Sequence, residues 1–256
     1  HNPAIYNGIK VFTYGGRDAD EIQTKDIEKW LLEAEKLYTP CHEEDGQMPP
    51  PGYTELVKQG IVEEINPMNE YLDNILSVIN VDAIRKRDLR VAVDPMYGVS
   101  LTALSTILAV ARCTVETINA QHDTLFGGKM PAPTESTLRS LQNYVLDRYC
   151  DIGIATDGDA DRLGVIDDKG HYLHANTILV MLYYYLLKYR GWRGPAVRNL
   201  STTHVLDKVA ESFGQKCYEV PVGFKHISGK MLETNAVIGG ESSGGLTVRG
   251  HIQGKD

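Results

Sequence analysis

The sequence predicts an α/β protein made of tandem α/β domains with mixed, mainly parallel sheets. From residue 89 onwards, short apolar runs of strand length alternate with helical patterns, which is typical of parallel strands covered by helices. The alternation occurs twice, on either side of residue 172. The 256 residues suffice for about two domains, since most domains hold roughly 100–200 residues.

The residues before this alternation form a different region. Turn signals near the N-terminus precede a short strand at residues 9–12, and apolar residues at helical spacing predict a helix over residues 20–38. Three consecutive prolines exclude regular structure from a loop at residues 39–53. A second amphipathic helix is predicted near residues 68–79.

The two alternating units have similar patterns. The first is predicted to contain strands at 89–93, 113–118 and 151–155, helices at 99–111 and 134–149, and a hairpin that turns at 167–170. In the second, Asn176 is predicted to cap a helix that Gly191 stops. The elements that follow are strands at 196–199, 217–220 and 236–238 and helices at 203–213 and 225–232.

An acidic loop is the most informative stretch of the chain. Asp157, Asp159 and Asp161 alternate with small residues, follow one apolar run and precede another. Alternate residues of an extended chain point the same way, so the three carboxylates are expected to converge at the end of a buried strand. Converging carboxylates repel one another unless a cation lies between them, and hard divalent ions prefer oxygen ligands. The loop therefore predicts a metal site.

Three other interpretations of this loop make different demands on the sequence. A solvated acidic turn is the simplest alternative. An EF-hand starting at Asp157 requires Gly at its sixth position and Glu at its twelfth, where this chain has Arg162 and Asp168, so it is excluded. A phosphatase of the haloacid-dehalogenase type favours Thr or Val where Asp161 stands, which weakens that interpretation but leaves it open.

Three further segments carry candidate binding residues. A glycine-rich loop, residues 239–245, follows a short strand, and Glu241 and Ser243 are suited to hydrogen-bond sugar hydroxyls. Lys10 lies beside two turns and Lys225 lies near a helix start, so either is placed to meet an anion. A flexible turn and solvated surface lysines are the corresponding alternatives.

Composition narrows the class of protein. Lys and Arg number 26 and Asp and Glu number 34, so the formal net charge is −8, which disfavours nucleic acid and anionic membranes as partners. The four cysteines form no C-x-x-C pair, so neither a zinc knuckle nor a disulfide framework is suggested. No apolar stretch reaches the ~20 residues of a membrane span, and no signal peptide is visible. A cytoplasmic protein with reduced thiols is expected.

Five segments together resemble one known family. In order they are H-N-P with Y-N-G-I-K near the N-terminus, D-G-D-A-D-R at 157–162, G-F-K at 223–225, G-E-S-S-G at 240–244, and G-H-I-Q-G-K-D at 250–256. Their order and approximate spacing resemble the α-D-phosphohexomutase family of phosphoglucomutases and phosphomannomutases. The resemblance covers essentially the whole chain.

The resemblance implies four α/β domains around a cleft, with a phosphoserine, a magnesium loop, a sugar loop and a phosphate-binding loop in successive domains. By this comparison residues 1–69 are the end of domain one, residues 70–172 are domain two and residues 173–256 are an incomplete domain three. The catalytic serine is expected just before His1. The chain is thus expected to be a fragment that lacks this serine and the C-terminal phosphate-binding domain, and to be inactive in isolation.

The resemblance also implies roles for individual residues. Asp157, Asp159 and Asp161 would bind Mg²⁺, and Arg162 would contact the transferring phosphoryl group. The remaining implied site residues are Lys10 and His1 at the reacting centre, with Lys10 as the candidate for proton transfer, and Glu241, Ser243 and Lys225 as contacts of the phosphosugar.

The implied reaction interconverts hexose 1-phosphate and hexose 6-phosphate through a phosphoserine enzyme and a bisphosphate such as glucose 1,6-bisphosphate. Some dual-specificity members resemble G-E-M-S-G-H in the sugar loop, whereas Gly245 occupies the place of that His here. This departure favours glucose phosphates as substrates. A phosphomannomutase or dual-specificity enzyme is the first alternative, and a Mg²⁺-dependent phosphatase is the second.

Overall fold

The computed structural model describes residues 8–37 and 52–255. The chain divides into two compact units, one of His1–Asp18 with Leu72–Asp256 and the other of Ala19–Tyr71. No helix in the described part of the chain is long and apolar enough to cross a membrane.

The smaller unit is helical. Helix α1, Glu21–Leu37, begins with a capping box, in which the Asp20 carboxylate accepts from the backbone of Ile22 and Gln23 and the Gln23 side chain accepts from the Asp20 N–H. A short helix α2, Tyr53–Lys58, was not anticipated from the sequence. Most of the predicted loop at 39–53 lies outside the described residues.

Helix α3, Met68–Val78, confirms the second amphipathic pattern, because Leu72, Ile75 and Leu76 are partly buried and the intervening polar residues are exposed. Helix α4, Val81–Arg85, follows it and was also missed from the sequence. The Asn80 side chain caps α4 by accepting the N–H of Ala83.

The first sheet of the larger unit has five strands in the order β4-β3-β5-β6-β7. Strand β3 pairs in parallel with β4 and β5, whereas β5, β6 and β7 form an antiparallel meander. The strands are β3 (Arg90–Asp94), β4 (Thr114–Thr117), β5 (Ile152–Thr156), β6 (Leu163–Asp167) and β7 (Tyr172–Leu173). Helix α5, Leu101–Val110, follows β3, and helix α6, Arg139–Arg148, precedes β5. Leu141 and Val145 are one turn apart on α6 and are fully buried against the sheet.

The second sheet has four strands in the order β11-β10-β8-β9. Strand β8 pairs in parallel with β9 and β10, and β10 pairs antiparallel with β11. The strands are β8 (Ala196–Asn199), β9 (Cys217–Val220), β10 (Ile238–Gly240) and β11 (Leu246–Val248). The helices are α7 (Ala175–Lys188), α8 (Val205–Ser212) and α9 (Phe224–Thr234). Both sheets are mixed, so the predicted α/β class with mixed sheets is confirmed.

Several predicted boundaries are wrong. The N-terminal strand is displaced to a two-stranded hairpin of β1, Phe12–Thr13, and β2, Arg17–Asp18. The cap of α7 is His174, whose ring accepts the N–H of Asn176, so Asn176 lies inside the helix. Residues 239 and 240 belong to β10 and not to the glycine-rich loop, because pairing with Val197 and Arg198 of β8 extends the strand over them.

Candidate active site

The acidic loop, residues 157–162, connects the antiparallel strands β5 and β6. It turns tightly, because the Ala160 N–H donates to the Asp157 carbonyl and Ala160 has the left-handed φ of +64°. The Arg162 N–H donates to Asp157 Oδ1 at 3.0 Å. These contacts bring one carboxylate oxygen each of Asp157, Asp159 and Asp161 within 4.8 Å of one another.

The three carboxylates differ in their surroundings. Asp157 is completely buried, Asp161 is largely buried and Asp159 is half exposed. Asp157 Oδ2 has no hydrogen-bond partner among the described residues, although it is inaccessible to solvent. Burial, followed by the charges of Asp161 and Asp159, raises the pKa of Asp157 to about 6. Asp157 therefore contributes a buried carboxylate oxygen that accepts no hydrogen bond from the described residues and lies 3.8 Å from Arg162 Nε.

Among the residues that the structure describes, three cationic side chains surround this cluster. Lys10 Nζ lies 2.5 Å from Asp159 Oδ2 and 2.8 Å from Asp161 Oδ2, and Lys255 Nζ lies 3.0 Å from Asp161 Oδ1. Arg162 Nε is more distant, at 3.8 Å from Asp161 Oδ1. Burial alone would raise the pKa of Asp161, but the hydrogen bonds from Lys10 and Lys255 outweigh it and lower that pKa. Burial alone would lower the pKa of Lys10, but its hydrogen bonds to Asp159 and Asp161 outweigh burial and raise that pKa.

The turn after β3 packs against the acidic loop and helps to hold it in place. The Val99 N–H donates to the Gly158 carbonyl at 3.1 Å, and the hydroxyls of Ser100 and Thr156 are 2.7 Å apart. Gly98 lies directly against Gly158, so that a Cβ on Gly98 would be only 2.5 Å from the Gly158 carbonyl oxygen. This close backbone approach requires glycine at position 98.

Gly98→Ala is expected to displace the acidic loop and to weaken divalent-metal binding about tenfold, at a cost of roughly 1–3 kcal/mol in the free energy of unfolding. The added methyl group meets a backbone carbonyl, which cannot rotate away as a side chain would. Calorimetric titration with Mn²⁺ and urea unfolding measure the two effects. Gly229→Ala is the matched control, because its Cβ meets open space on α9, and it should leave metal binding unchanged. Equal metal affinity in both variants would contradict the supporting role of Gly98.

The loop predicted to bind a sugar, called the sugar loop below, comprises residues 241–245 and connects β10 and β11. The Glu241 N–H donates to the Gly245 carbonyl, and the Gly244 N–H donates to the Glu241 carbonyl. Gly244 has a φ of +103°, which a side chain would strain. Glu241 is buried, whereas Ser243 is exposed with its hydroxyl 3.4 Å from Glu241 Oε2. The loop thus presents one fixed carboxylate and one accessible hydroxyl.

Two neighbouring segments position the Glu241 carboxylate. Its Oε1 accepts from Asn199 Nδ2 at 2.9 Å and from the Gly223 N–H at 3.3 Å. Asn199 ends β8, and Gly223 immediately precedes α9, whose second residue is the partly buried Lys225. Because Oε1 is held in this way, Oε2 beside Ser243 is the oxygen that is better placed to accept from a ligand hydroxyl.

The acidic loop and the sugar loop adjoin. The Leu163 N–H, directly after the acidic loop, donates to the Gly244 carbonyl at 3.3 Å. Lys255 contacts both loops, because its ammonium reaches Asp161 and its methylene chain packs on Gly245, where a Cβ would collide with it. The structure therefore brings together the three aspartates, Arg162, Lys10 and the sugar loop.

Two site residues escaped the sequence analysis, and one predicted residue is not described. Asn199 carried a usable signal, since polar residues at the carboxyl ends of parallel strands line binding crevices. Lys255 lies in the segment 250–256 that contributes to the family resemblance, but its contact with Asp161 joins residues far apart in sequence and was not predicted. His1 lies outside the described residues.

The donor set of the acidic loop fits a hard divalent cation. Three carboxylate oxygens lie within 4.8 Å of one another, a span that one ion with oxygen ligands at roughly 2.0–2.6 Å can bridge after a small closure. The buried Asp157 Oδ2, which has no hydrogen-bond donor within residues 8–37 and 52–255, provides an independent reason for a cation here. The cluster found in the described part of the chain consists of carboxylates alone, a donor set that favours Mg²⁺, Mn²⁺ or Ca²⁺ over Zn²⁺.

Comparison with known families identifies the family of the chain. The model of the phosphoglucomutase/phosphomannomutase alpha/beta/alpha domain II matches residues 69–170, and the model of domain III matches residues 174–256. The chain belongs to the phosphohexomutase family. The acidic loop of this phosphohexomutase chain lies in the first matched region and its sugar loop lies in the second.

Its curated relatives include several named mutases. A phosphoglucomutase/phosphomannomutase from Thermococcus kodakarensis is 30% identical over 256 residues, which are 100% of this chain and 53% of the relative. A protein named as a probable phosphoglucosamine mutase from Methanopyrus kandleri is 29% identical over 95% of this chain and 50% of the relative. The chain spans about half the length of the curated relatives it matches.

Solved structures agree with this fold. A crystal structure of a protein assigned as a phosphomannomutase from Thermus thermophilus is 29% identical, with a TM-score of 0.72 over 76% of this chain and 45% of that one. A phosphoglucomutase/phosphomannomutase family protein from Burkholderia thailandensis has a TM-score of 0.67 at 23% identity, over 73% of this chain and 40% of that one, and this likeness concerns the fold alone.

Proposed function

We propose that this chain supplies the metal-binding and sugar-binding domains of a Mg²⁺-dependent hexose phosphate mutase. The reaction would interconvert hexose 1-phosphate and hexose 6-phosphate through a phosphoserine and a hexose bisphosphate. Residues 70–172 would form the metal domain and residues 173–256 the sugar domain, with residues 1–69 as the end of the preceding domain. The family matches over 69–170 and 174–256 support this division.

The observation that carries the proposal is the meeting of the two loops. The Leu163–Gly244 hydrogen bond places three converging carboxylates and their cations beside a loop that presents a fixed carboxylate and an exposed hydroxyl. Phosphoryl transfer needs cationic groups where charge develops, and a hexose needs hydroxyl contacts that hold its ring. Groups suited to both requirements lie in adjoining loops of the larger unit, which supports the proposal.

Each side chain has a distinct role in the proposal. Asp157, Asp159 and Asp161 would hold Mg²⁺, which neutralises charge on the transferring phosphoryl group. Arg162, partly exposed at the rim of the cluster, would contact the same phosphoryl group. Lys10 would carry the proton to and from the sugar hydroxyl, because its ammonium lies at the carboxylates that would face the reacting oxygen.

The sugar would be held by the second loop. Glu241 Oε2 would accept from one ring hydroxyl, and the exposed Ser243 hydroxyl would contact a second. Lys225 lies two residues after Gly223, whose N–H donates to Glu241, and would pair with the distal phosphate. A bisphosphate must be bound in both orientations. A carboxylate with one oxygen fixed and the other available suits hydroxyls that look alike from either end.

We propose glucose phosphates as the first substrate, with mannose phosphates as the alternative. The names of the relatives favour a second candidate, since several that are 28–29% identical are named phosphoglucosamine mutases. Glucosamine phosphates and mannose phosphates each differ from glucose phosphates at the 2-position only. Activity on the three 1-phosphates ranks these candidates directly.

The decisive assay uses a hybrid in which this chain replaces the matching part of the Thermococcus kodakarensis relative, because the chain covers 53% of that protein. Glucose, mannose and glucosamine 1-phosphates are supplied with Mg²⁺ and a trace of the bisphosphate. We expect formation of the 6-phosphate, lost in Asp159→Asn. We expect no turnover by residues 1–256 alone.

Two outcomes would contradict the proposal. Free phosphate without 6-phosphate would mean that the acidic loop serves a phosphatase. If the hybrid does not fold, binding of glucose 6-phosphate to the chain itself is measured by calorimetry in the presence of Mg²⁺. No binding at about 5 mM of the sugar phosphate, which exceeds ordinary Michaelis constants, would then remove the proposed sugar site.

A further inference from the structure

Both oxygens of Asp161 are engaged by lysines. Oδ2 lies 2.8 Å from Lys10 Nζ, and Oδ1 lies 3.0 Å from Lys255 Nζ. Lys10 additionally contacts Asp159 Oδ2 at 2.5 Å, so its ammonium bridges two of the three carboxylates in the cluster. These contacts occupy the ligand atoms that a shared metal ion needs.

A divalent cation held by all three aspartates must bind at least one oxygen of Asp161. Ligand distances for such ions are about 2.0–2.6 Å. An ammonium that stays on the oxygen that binds the metal would then lie within roughly 5 Å of a doubly charged ion, and this like-charge repulsion outweighs the attraction of a single partly exposed ion pair. One of the two lysines must therefore move when the metal binds.

Lys10 is the lysine that the geometry selects. Its side chain is 54% exposed and it lies between Asp159 and Asp161, which is the position that a cation shared by the cluster requires. Lys255 is 13% exposed, and among the described carboxylates of the cluster its ammonium pairs with Asp161 and not with Asp159. Its methylene chain packs on Gly245. Moving Lys255 would disrupt the packing at the sugar loop, whereas Lys10 moves into solvent.

We propose that the Lys10 ammonium and the divalent metal ion exchange at Asp159 and Asp161, so that metal binding releases Lys10 from the acidic loop. This inference rests on the metal site of the proposed function. Its consequence is an ordered assembly, in which the lysine becomes available to a substrate oxygen only after the metal is bound. Without metal, Lys10, the candidate proton carrier, would stay in its ion pairs with Asp159 and Asp161.

The first test compares metal affinity in three proteins. Mn²⁺ binding to the chain is titrated calorimetrically for the wild type, Lys10→Met and Lys255→Met. Methionine preserves most of each methylene chain, including the packing of residue 255 on Gly245. Loss of two partly exposed ion pairs should tighten binding roughly three- to thirtyfold in Lys10→Met. Lys255→Met removes an equal charge but frees only one oxygen of Asp161 and none of Asp159, so it should tighten binding less than Lys10→Met does.

The second test follows the lysine itself. Amine labelling of the wild type, quantified by mass spectrometry for each lysine, is measured with and without Mn²⁺. We expect metal to increase labelling of Lys10 several-fold and to leave Lys255 unchanged. Unchanged or reduced labelling of Lys10 would overturn the exchange.

The outcomes separate the two proposals. Equal tightening in Lys10→Met and Lys255→Met would mean that net charge alone matters, and it would overturn the exchange while leaving the metal site intact. Weaker binding in Lys10→Met would do the same. Failure of all three proteins to bind Mn²⁺ would overturn the metal site of the proposed function and the exchange with it.

Discussion

Asp157→Asn is expected to abolish tight metal binding and, in the presence of a chelator, to make the protein more stable. The wild-type carboxylate is fully buried, its Oδ2 has no hydrogen-bond partner among the described residues, and two further carboxylates lie nearby. The amide oxygen of Asn still accepts from the Arg162 N–H, while the unfavourable charge is removed. We expect a gain of about 1–3 kcal/mol in the free energy of unfolding at pH 8 and a loss of at least ~100-fold in metal affinity.

The stability gain has a defined dependence on pH. The pKa of Asp157 is about 6 in the folded protein and 3.8 in the reference state, so the protonated carboxyl is preferred by the folded chain. Its contribution to stability is fully present below about pH 3.8 and is lost as the pH rises through about 6. The advantage of Asp157→Asn should therefore be smaller at pH 5 than at pH 8, as measured by urea unfolding with EDTA.

Asp159→Asn is the matched control. Asp159 is half exposed and paired with Lys10, so its replacement should also weaken metal binding while changing stability by less than about 0.5 kcal/mol. A metal-free Asp157→Asn protein that is less stable than the wild type would show that the buried carboxylate is well satisfied. No cation would then be needed to satisfy Asp157 Oδ2.

Asn199→Ala is expected to destabilise the protein by about 2–4 kcal/mol and to weaken hexose phosphate binding at least tenfold. Asn199 is buried, and its Nδ2 donates to Glu241 Oε1. Its Oδ1 accepts from Ser201 and from the hydroxyl of the buried Thr202. Truncation leaves a buried carboxylate with one donor fewer and a buried hydroxyl without its acceptor, which is costlier than losing an exposed hydrogen bond.

Urea unfolding and calorimetry with glucose 6-phosphate measure these two effects. Ser201→Ala removes an exposed hydroxyl from the same network but leaves the Asn199–Glu241 bond in place, so it should cost less than about 1 kcal/mol and preserve binding. Wild-type ligand affinity in Asn199→Ala would refute the role of Asn199 in positioning Glu241, even if stability falls as expected.

Local sequence patterns predicted most of the secondary structure. The strands β8 and β9 were predicted with their observed limits, and the amphipathic face of α3 was correct. These elements are dictated by apolar residues at period two or at helical spacing, which short segments display by themselves. The short helices α2 and α4 were missed because five or six residues carry too little periodicity.

Local signals were least reliable where pairing between strands decides the outcome. Two glycines predicted to open the sugar loop extend β10 instead, because β8 supplies hydrogen-bond partners on one side and β11 on the other. Glycine weakens an isolated strand, so the sequence around these residues favours a turn.

The apolar stripe of α1 was correctly assigned to a helix, yet Trp30 and Leu31 are exposed.

The sequence alone determined the α/β class and the three aspartates of the acidic loop, since both depend on spacings of a few residues. Only the tertiary structure decided which groups complete the site. Lys10 reaches Asp159 across 149 positions and Asn199 reaches Glu241 across 42. Contacts of this kind follow from how the sheets and loops pack, and no local spacing encodes them. The counter-ions of the cluster and the support of the sugar loop are therefore properties of the folded chain.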